Sequence, residues 1–339
     1  MSFDQEQPTE PGPEAALGQR KRRTSPWLLA LTLALAGLLL FLALRGADWS
    51  QFLAILRQAN PAILLLAAGL LSVSHLVRSV RWNLLLRAES SLPTVSVFWA
   101  VMAGYLGNYF LPARAGELIR SALVARLSRL SVGYVLATAL TERLLDLVAL
   151  VLLSLVALRW IVGLPPWVAV AAQVMSAVAV VGVAGLAALP LFGRQLIALL
   201  RRAPLPGGLS SRLAELVGQF LLGMRAIGHP RRGAGFAALT TVIWLLDAVF
   251  AVAVAVALQI GLDIPQALVL LAALGLASAA PSTPGYLGIF QFVAVSILAP
   301  FGLAQSAALA FILAFQAISY LVVIVWGVLG LARIGAAPR

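Results

Sequence analysis

The feature that most constrains this fold is a succession of long apolar segments that carry almost no charge. Hydrophobic residues make up 62% of the 339-residue chain and charged residues 11%, against about 45–50% and about 25% in soluble domains. About 20 consecutive apolar residues span a bilayer. The sequence therefore excludes an ordinary soluble domain and predicts an all-α, polytopic integral membrane protein. Six segments are predicted to cross the membrane: Trp27–Leu44, Pro61–Val77, Tyr134–Leu158, Pro166–Phe192, Gly235–Leu258 and Ala304–Leu331.

The basic residues predict the orientation of these six segments. The chain has 24 Lys and Arg against 12 Asp and Glu, a net charge of +12. Because the basic residues lie between apolar segments, they indicate topology rather than a nucleic-acid partner. With both termini in the cytoplasm, only Arg45, Arg57 and Arg159 face outward. Arg78, Arg81 and Arg87 then follow the second segment on the cytoplasmic side, with Trp82 as an interfacial anchor.

The polar ends and one long polar segment define the domain organisation. Residues 1–26 are rich in Pro and acidic residues and are expected to form a disordered cytoplasmic tail. Residues 27–331 are expected to form the transmembrane domain, followed by a short tail over 332–339. Apolar residues with helical spacing predict an amphipathic helix over about 209–228, on the cytoplasmic face of the membrane.

Two further apolar segments are predicted to be re-entrant hairpins rather than crossings. A crossing at 94–111 would place the arginines that follow it outside, against the charge rule. A hairpin over 94–128 that returns to the cytoplasmic side removes the conflict. Residues 264–300 are expected to form a second hairpin from the outer side, because prolines and glycines interrupt them. Such backbone is tolerated at membrane depth only when protein buries it or when it lines a watery cavity.

The two hairpins share a P-x-x-x-G pattern at their tips, at 112–116 and 281–285. With opposite orientations, the pair predicts an inverted repeat, which is common in transporters; two unrelated loops with helix breakers are the alternative. A helix that opens at each tip would present unpaired backbone N–H groups and a positive dipole end to an anion. Thr283 is the expected N-cap, with Pro284 at the first helical position.

A cluster of charged residues lies in the third predicted crossing. Glu142, Arg143 and Asp146 are about 9–13 residues into it, near the bilayer centre at about 1.5 Å per residue. Each isolated charge costs at least about 2.5–3.5 kcal/mol there. We expect Arg143 to pair with Asp146 along the helix. Arg114, which shares a helix face with Glu117 and Ser121, is the expected cation that offsets the repulsion between the two carboxylates.

Other polar residues extend this predicted site. Asp247 lies inside the fifth segment and is expected to be protonated or to point at an arginine across the bundle. Asn108, Gln291 and Gln316 could donate hydrogen bonds to a ligand or between helices. Two interpretations stay open for the charged cluster: an ion-pair lattice that only joins helices, or a polar cavity that a headgroup crosses, which we favour. His75 and His229 are far apart and the chain has no cysteine, so we expect no metal site and no cofactor.

Four motifs resemble one known family, the lysylphosphatidylglycerol synthase transmembrane region, also called flippase-like. They are Arg78–Leu86 (RSVRWNLLL), Gly104–Glu117 (GYLGNYFLPARAGE), Thr141–Asp146 (TERLLD) and Pro281–Gly288 (PSTPGYLG). The resemblance covers about residues 25–335. It implies a bacterial or archaeal cytoplasmic-membrane protein that moves a lipid between leaflets. In two-part relatives a soluble aminoacyl-transferase domain makes the lipid, and we expect no such enzyme activity here.

These observations predict a lipid flippase or transporter for an anionic phospholipid or a polyprenyl-phosphate-linked lipid. The predicted substrate site comprises Asn108, Arg114, Glu117, Glu142, Arg143, Asp146, Asp247, Ser282, Thr283 and Gly285. One rival hypothesis is an accessory subunit for a separate synthase or glycosyltransferase. Another is an intramembrane transferase or hydrolase with Glu117, Glu142 or Asp146 as general base. The sequence does not choose the lipid, the energy coupling or the oligomeric state, and a homo-oligomer stays open.

Overall fold

A computed structural model describes residues 26–87, 89–111, 115–161, 166–203, 208–225, 228–279 and 284–335. Several parts of the sequence predictions lie outside these residues: the tail over 1–25, residues 112–114 with Arg114, residues 226–227, residues 281–283 with Ser282 and Thr283, and residues 336–339. The predicted domain bounds, including both tails, stay a prediction.

The described part of the chain is almost entirely α-helical and contains no β-strand. The prediction of an all-α, polytopic membrane protein is confirmed. The helices are α1 (Pro26–Leu44), α2 (Trp49–Arg57), α3 (Pro61–Leu86), α4 (Thr94–Phe110), α5 (Ala115–Ser128), α6 (Val132–Leu158), α7 (Pro166–Arg202), α8 (Leu209–Arg225), α9 (Pro230–Ala257), α10 (Ile264–Ala279), α11 (Ile289–Leu298) and α12 (Gln305–Gly335).

Three of the described helices, α3, α9 and α12, are long and apolar enough to cross a membrane. A fourth span results if Ala34–Leu44 and α2 count as one unit, although they meet at an angle of 86°. α6 is 27 residues long but carries three charged residues in its middle. The count of six crossings and the orientation of the termini stay predictions.

α3 differs most from its sequence prediction. Asn60 caps its start by accepting hydrogen bonds from the backbone N–H groups of Ala62 and Ile63. The helix then continues past Val77 to Leu86. Arg81 and Trp82 are both fully buried. The prediction of Trp82 as an interfacial anchor is therefore wrong, and Arg78 and Arg81 lie inside the bundle, where carboxylates on neighbouring helices neutralise them. The side of the membrane on which they lie stays a prediction.

The segment 94–128 forms a tight antiparallel helix pair. α4 and α5 pack against each other through three glycines. A Cβ atom on Gly104 would lie 2.6 Å from the Cβ of Arg120, and one on Gly107 would lie 3.0 Å from the Cα of Gly116. Close approach of two helices requires such small residues. The helix pair is therefore present, while its entry from the cytoplasmic side stays a prediction.

The segment 264–300 also folds back on itself, but its second helix begins later than predicted. α10 packs against α11, and a single 3-10 turn at Pro284–Tyr286 precedes α11. Gly285 (φ +72°), Tyr286 (φ +60°) and Gly288 (φ +87°) are left-handed, a conformation that an α-helix does not contain. Pro284 therefore does not open an α-helix, and α11 starts at Ile289 instead.

Three helix pairs frame the interior of the protein: α3 packs along α9, α12 along α4, and α6 along α10. The predicted amphipathic segment contains α8, whose apolar side packs against α6 and α7. A Cβ on Gly223 of α8 would lie 2.8 Å from the carbonyl oxygen of Ala137 in α6. Polar residues of α3, α4, α5, α6 and α9 then face one another in the space between these pairs.

Candidate functional site

The polar interior is organised as a series of alternating charges. Four arginines and four carboxylates from α3, α5, α6 and α9 pair in sequence. Each neighbour in the series carries the opposite charge, with an N···O separation of no more than 3.9 Å. The order is Asp247, Arg78, Asp146, Arg81, Glu142, Arg120, Glu117 and Arg143.

Arg81 occupies the centre of this series and has no exposed surface. Its guanidinium forms a bidentate pair with Asp146, of which one N–H···O contact is 2.8 Å. A further N–H donates to Glu142 at 2.8 Å, and another to the hydroxyl of Thr240 at 2.9 Å. One arginine from α3 thus separates the two carboxylates of α6 and removes their mutual repulsion.

Glu117 joins the hairpin helix α5 to α6. It accepts a hydrogen bond from Nε of Arg120 at 2.6 Å and one from Nε of Arg143 at 3.0 Å. Arg120 also donates to Glu142 at 3.0 Å. Asn108 of α4 contributes a longer contact of 3.4 Å to Glu117.

Arg78 and Asp247 form the other end of the series. They pair directly between α3 and α9, and the hydroxyl of Ser74 also donates to Asp247. The predicted alternatives for Asp247 included an arginine across the bundle, and the structure supplies one in Arg78. A buried ion pair of this kind compensates two charges that would otherwise be costly to retain.

Two pairings differ from the sequence predictions. Arg143 pairs with Glu117 at 2.8 Å rather than with Asp146, whose partner is Arg81. Arg81 and Arg120 compensate the two carboxylates. Arg114, the cation expected from the sequence, lies outside the described residues, and its part in the site stays a prediction. Helical spacing identified Asp146 as a partner for Arg143, but the shape of the bundle brings Glu117 closer.

Each of the four guanidinium groups also lies over an aromatic ring. The distances from guanidinium carbon to ring centroid are 5.0 Å for Arg78 and Trp244, 4.9 Å for Arg81 and Phe236, 4.5 Å for Arg120 and Trp82, and 5.6 Å for Arg143 and Tyr105. Cation–π contacts of about 6 Å or less stabilise a desolvated cation. The buried aromatic residues thus take over part of the role of water around these charges.

A cavity of about 430 Å³ lies beside one side of the charge series. Ligand pockets commonly measure about 300–1,000 Å³. Its charged lining residues are Arg78, Glu117, Arg143 and Asp146, whereas Arg81, Arg120 and Glu142 lie deeper and do not line it. The other lining residues are His75, Tyr105, Asn108, Tyr109, Leu144, Leu147, Leu150, Trp244, Leu271, Leu274, Gly275, Ser278, Tyr286, Phe290 and Phe315.

The cavity reaches the outer surface of the bundle near Arg143. The Arg143 side chain is 31% exposed and that of Arg78 is 10% exposed, whereas the side chains of Arg81 and Arg120 are buried. Leu144, next to Arg143 and also in the cavity lining, is 45% exposed. Arg143 is therefore the cation of the series that a molecule from outside the bundle can reach most easily.

The described ends of both hairpins meet at this cavity. Tyr109 near the end of α4 and Tyr286 in the 3-10 turn both line it, and α4 contacts that turn. Gln316 and Tyr320 of α12 both donate to the carbonyl oxygen of Gly285. Gln291 caps α11 by accepting from the backbone N–H of Gly288 at 2.7 Å. Gln291 and Gln316 therefore hold the hairpin in place rather than line the cavity.

Of the predicted site residues, Asn108, Glu117, Arg143 and Asp146 line the cavity, while Glu142 and Asp247 lie behind its wall. Gly285 lies in the adjacent turn. The sequence prediction missed Arg78, Arg81 and Arg120, and it treated His75 as incidental. One signal could have identified these arginines. The predicted site contained three carboxylates in the apolar segments, Glu142, Asp146 and Asp247, but only one arginine there, Arg143. The imbalance requires further cations in the bundle.

The carboxylates of this site are arranged for ion pairing rather than for proton transfer. Glu117, Glu142 and Asp146 each contact two arginines. A general base needs an electron pair within reach of a substrate proton, and here both oxygens of each carboxylate already face arginine N–H groups. No cluster of three metal-ligating side chains occurs among the described residues.

Comparison with known proteins agrees with this membrane architecture. A family model described as lysylphosphatidylglycerol synthase TM region matches residues 27–327. The chain is also 29% identical over 340 residues to glycosyltransferase AglD of Haloferax volcanii, an alignment that covers 89% of this chain and 53% of that protein. The chain thus spans about half the length of this relative. No solved structure matches it significantly.

Proposed function

The chain belongs to the lysylphosphatidylglycerol synthase TM region family, and from this premise we propose that it moves an anionic lipid between the two leaflets of a cytoplasmic membrane. The single observation that carries this proposal is the cavity beside the charge series. Its wall combines two guanidinium groups, Arg78 and Arg143, with apolar and aromatic side chains. An anionic phospholipid or a polyprenyl-phosphate-linked lipid has the matching chemistry.

The proposed mechanism separates the headgroup from the lipid tails. The tails stay in the bilayer, and the headgroup enters between the helices beside Arg143 and Leu144. Its phosphate then contacts Arg143 first and Arg78 deeper in the cavity. Because the arginines and carboxylates of the series balance in charge, each arginine already has a carboxylate partner. The phosphate therefore shares an arginine with a carboxylate, which permits release on the other side.

The most direct test of this proposal is the substitution Arg143→Gln. Charge-assisted hydrogen bonds contribute about 1.5–3 kcal/mol, so we expect transport of an anionic lipid to slow about 10- to 100-fold. The variant should still fold, because Glu117 keeps Arg120 at 2.6 Å. The measurement is the accessibility of a fluorescent phosphatidylglycerol to an impermeant quencher in proteoliposomes that contain the purified protein.

Arg159→Gln is the matched control, because Arg159 caps the C-terminal end of α6, away from the cavity lining, and is exposed. It should transport at the wild-type rate. Equal rates in the wild type and Arg143→Gln would remove Arg143 from the mechanism. A wild-type rate no faster than protein-free liposomes would reject the transport function itself.

The membrane orientation that we propose has both termini in the cytoplasm and α4–α5 entering from the same side. Since the chain contains no cysteine, single cysteines can report on it. Val95, in the first turn of α4, is 61% exposed, and Val132, the first residue after the α4–α5 pair that belongs to α6, is 51% exposed. Trp160, which follows α6, is 76% exposed. An impermeant maleimide should label Val95→Cys and Val132→Cys from the cytoplasm and Trp160→Cys from outside. Labelling of residues 95 and 132 from opposite sides would show that α4 crosses the membrane.

A second candidate function is that of a membrane subunit for a glycosyltransferase or synthase. The observation that favours it is the similarity to glycosyltransferase AglD over about half of that protein's length. Co-purification of such an enzyme, together with no lipid movement by this protein alone in liposomes, would favour this function over transport.

A further inference from the structure

Two side chains beside the charge series carry buried polar atoms that have no hydrogen-bond partner among the described residues. Neither ring nitrogen of His75 forms a hydrogen bond with the described residues, and the same holds for the indole N–H of Trp244. His75 is 8% exposed, and both residues line the cavity. Buried polar groups without a hydrogen bond are rare and call for an explanation.

These two residues lie next to the proposed phosphate-binding arginine. His75 precedes Arg78 by three residues on α3, so the two share one helix face. Trp244 of α9 lies under the Arg78 guanidinium, with 5.0 Å between the guanidinium carbon and the ring centroid. The His75 ring contacts Tyr105 edge-on at a centroid distance of 5.3 Å, which fixes its position.

The hydrogen-bonding capacity of this pair differs from that of a phosphate site. A neutral imidazole offers one donor and one acceptor, and an indole offers one donor. A phosphate ester at neutral pH only accepts, so it would leave the imidazole acceptor unpaired. A hydroxyl group can either donate or accept, so two hydroxyl groups can pair with the two ring nitrogens of His75, one as donor and one as acceptor. The neutral ring is the relevant form, because a second cation one helical turn from Arg78 would be unfavourable.

We propose that His75 and Trp244 bind hydroxyl groups of the lipid headgroup and make the protein selective for hydroxylated anionic lipids. This inference rests on the proposed transport function, because it gives the uncharged polar residues of the same cavity a role in binding the same lipid headgroup. Arg78 and Arg143 contact the charged phosphate, while the imidazole and the indole N–H contact the hydroxyl-bearing group beyond it.

The test compares two lipids that differ only in their hydroxyls. Phosphatidylglycerol and phosphatidyl-1-propanol carry the same charge and can carry the same tails. Native mass spectrometry of the detergent-purified protein, titrated with each lipid, gives both dissociation constants. An unpaired buried polar group weakens binding, so the wild type should bind phosphatidylglycerol about tenfold more tightly than phosphatidyl-1-propanol.

The variants His75→Phe and Trp244→Phe keep an aromatic ring but lose the polar atoms. In each, the affinity ratio should fall towards one, because no polar atom is then left unpaired when phosphatidyl-1-propanol binds. His75→Gln retains a hydrogen-bond donor and an acceptor and should keep part of the preference for phosphatidylglycerol. This variant also tests the role of His75 if His75→Phe does not fold. His229→Phe and Trp160→Phe, at exposed positions, are the matched controls and should keep the wild-type ratio.

Three results would overturn the inference: equal wild-type affinities for the two lipids, no binding of either lipid, or an unchanged ratio in both His75→Phe and Trp244→Phe. These results do not depend on transport. A tenfold binding preference without transport in proteoliposomes supports the hydroxyl site and rejects only the proposed transport function.

Discussion

Replacement of Arg81 by glutamine should lower the free energy of unfolding by about 3–5 kcal/mol, because it removes the cation that lies between two buried carboxylates. Arg81 has no exposed surface and is the partner of both Glu142 and Asp146. Asp146 would keep only the 3.9 Å contact with Arg78. The measurement is thermal unfolding of the detergent-purified protein, followed by its tryptophan fluorescence.

Arg87→Gln is the matched control for this prediction. Arg87 follows the last turn of the same helix and is exposed, so its replacement should change stability by no more than about 0.5 kcal/mol. In the Arg81→Gln background, Glu142→Gln and Asp146→Asn should restore part of the lost stability, since they remove the carboxylate charges that Arg81 had neutralised. Full stability of Arg81→Gln alone would show that the series is not held together by its central arginine.

Replacement of Gly116 by alanine should destabilise the protein by about 1–3 kcal/mol or more, because it forces α4 and α5 apart. A Cβ on Gly116 would overlap the carbonyl oxygen of Gly104 and lie 2.6 Å from the backbone nitrogen of Asn108. Backbone atoms on α4 cannot rotate away as a side chain can. The hairpin tip should therefore shift, and Glu117 should lose its alignment with Arg143. We expect both a lower melting temperature and slower lipid transport.

Gly69→Ala provides the opposite expectation within the same chain. Gly69 lies in α3, and a Cβ atom added to it would have no neighbouring atom within 4 Å. Alanine favours a helix by up to about 1 kcal/mol over glycine. This variant should therefore keep or raise the melting temperature. Equal melting temperatures for Gly116→Ala and Gly69→Ala would contradict the close packing of α4 and α5.

The sequence predicted one half of the charge series more clearly than the other. Glu142, Arg143 and Asp146 could be recognised as buried because they interrupt an apolar segment. Arg78 and Arg81 could not, since they follow Val77 at the position where a cytoplasmic flank is expected. Hydropathy alone does not distinguish an arginine that ends a helix from one that continues it inside a protein. Only the positions of Glu142, Asp146 and Asp247 on other helices make that distinction.

The hairpins show the same division. The prolines and glycines identified where the backbone must break, and two packed helix pairs are found there. The sequence predicted a helix start at Pro284, but α11 starts five residues later, at Ile289. Left-handed residues lie between these two positions. The turn that contains them could not be predicted, because α12 holds it in place. Tyr320 and Gln316 hold the carbonyl of Gly285, a contact between residues far apart in the chain.

By itself, the sequence determined the class of this protein: an all-helical membrane chain with breaks at the hairpins and charges in the interior. These properties follow from local composition and periodicity, which act over a few helical turns. The tertiary structure alone decided which charge meets which, that Arg81 lies between the carboxylates of Glu142 and Asp146, and that His75 faces a cavity. Such pairings depend on distances between different helices, and a Coulomb or hydrogen-bond energy is set by those distances rather than by spacing along the chain.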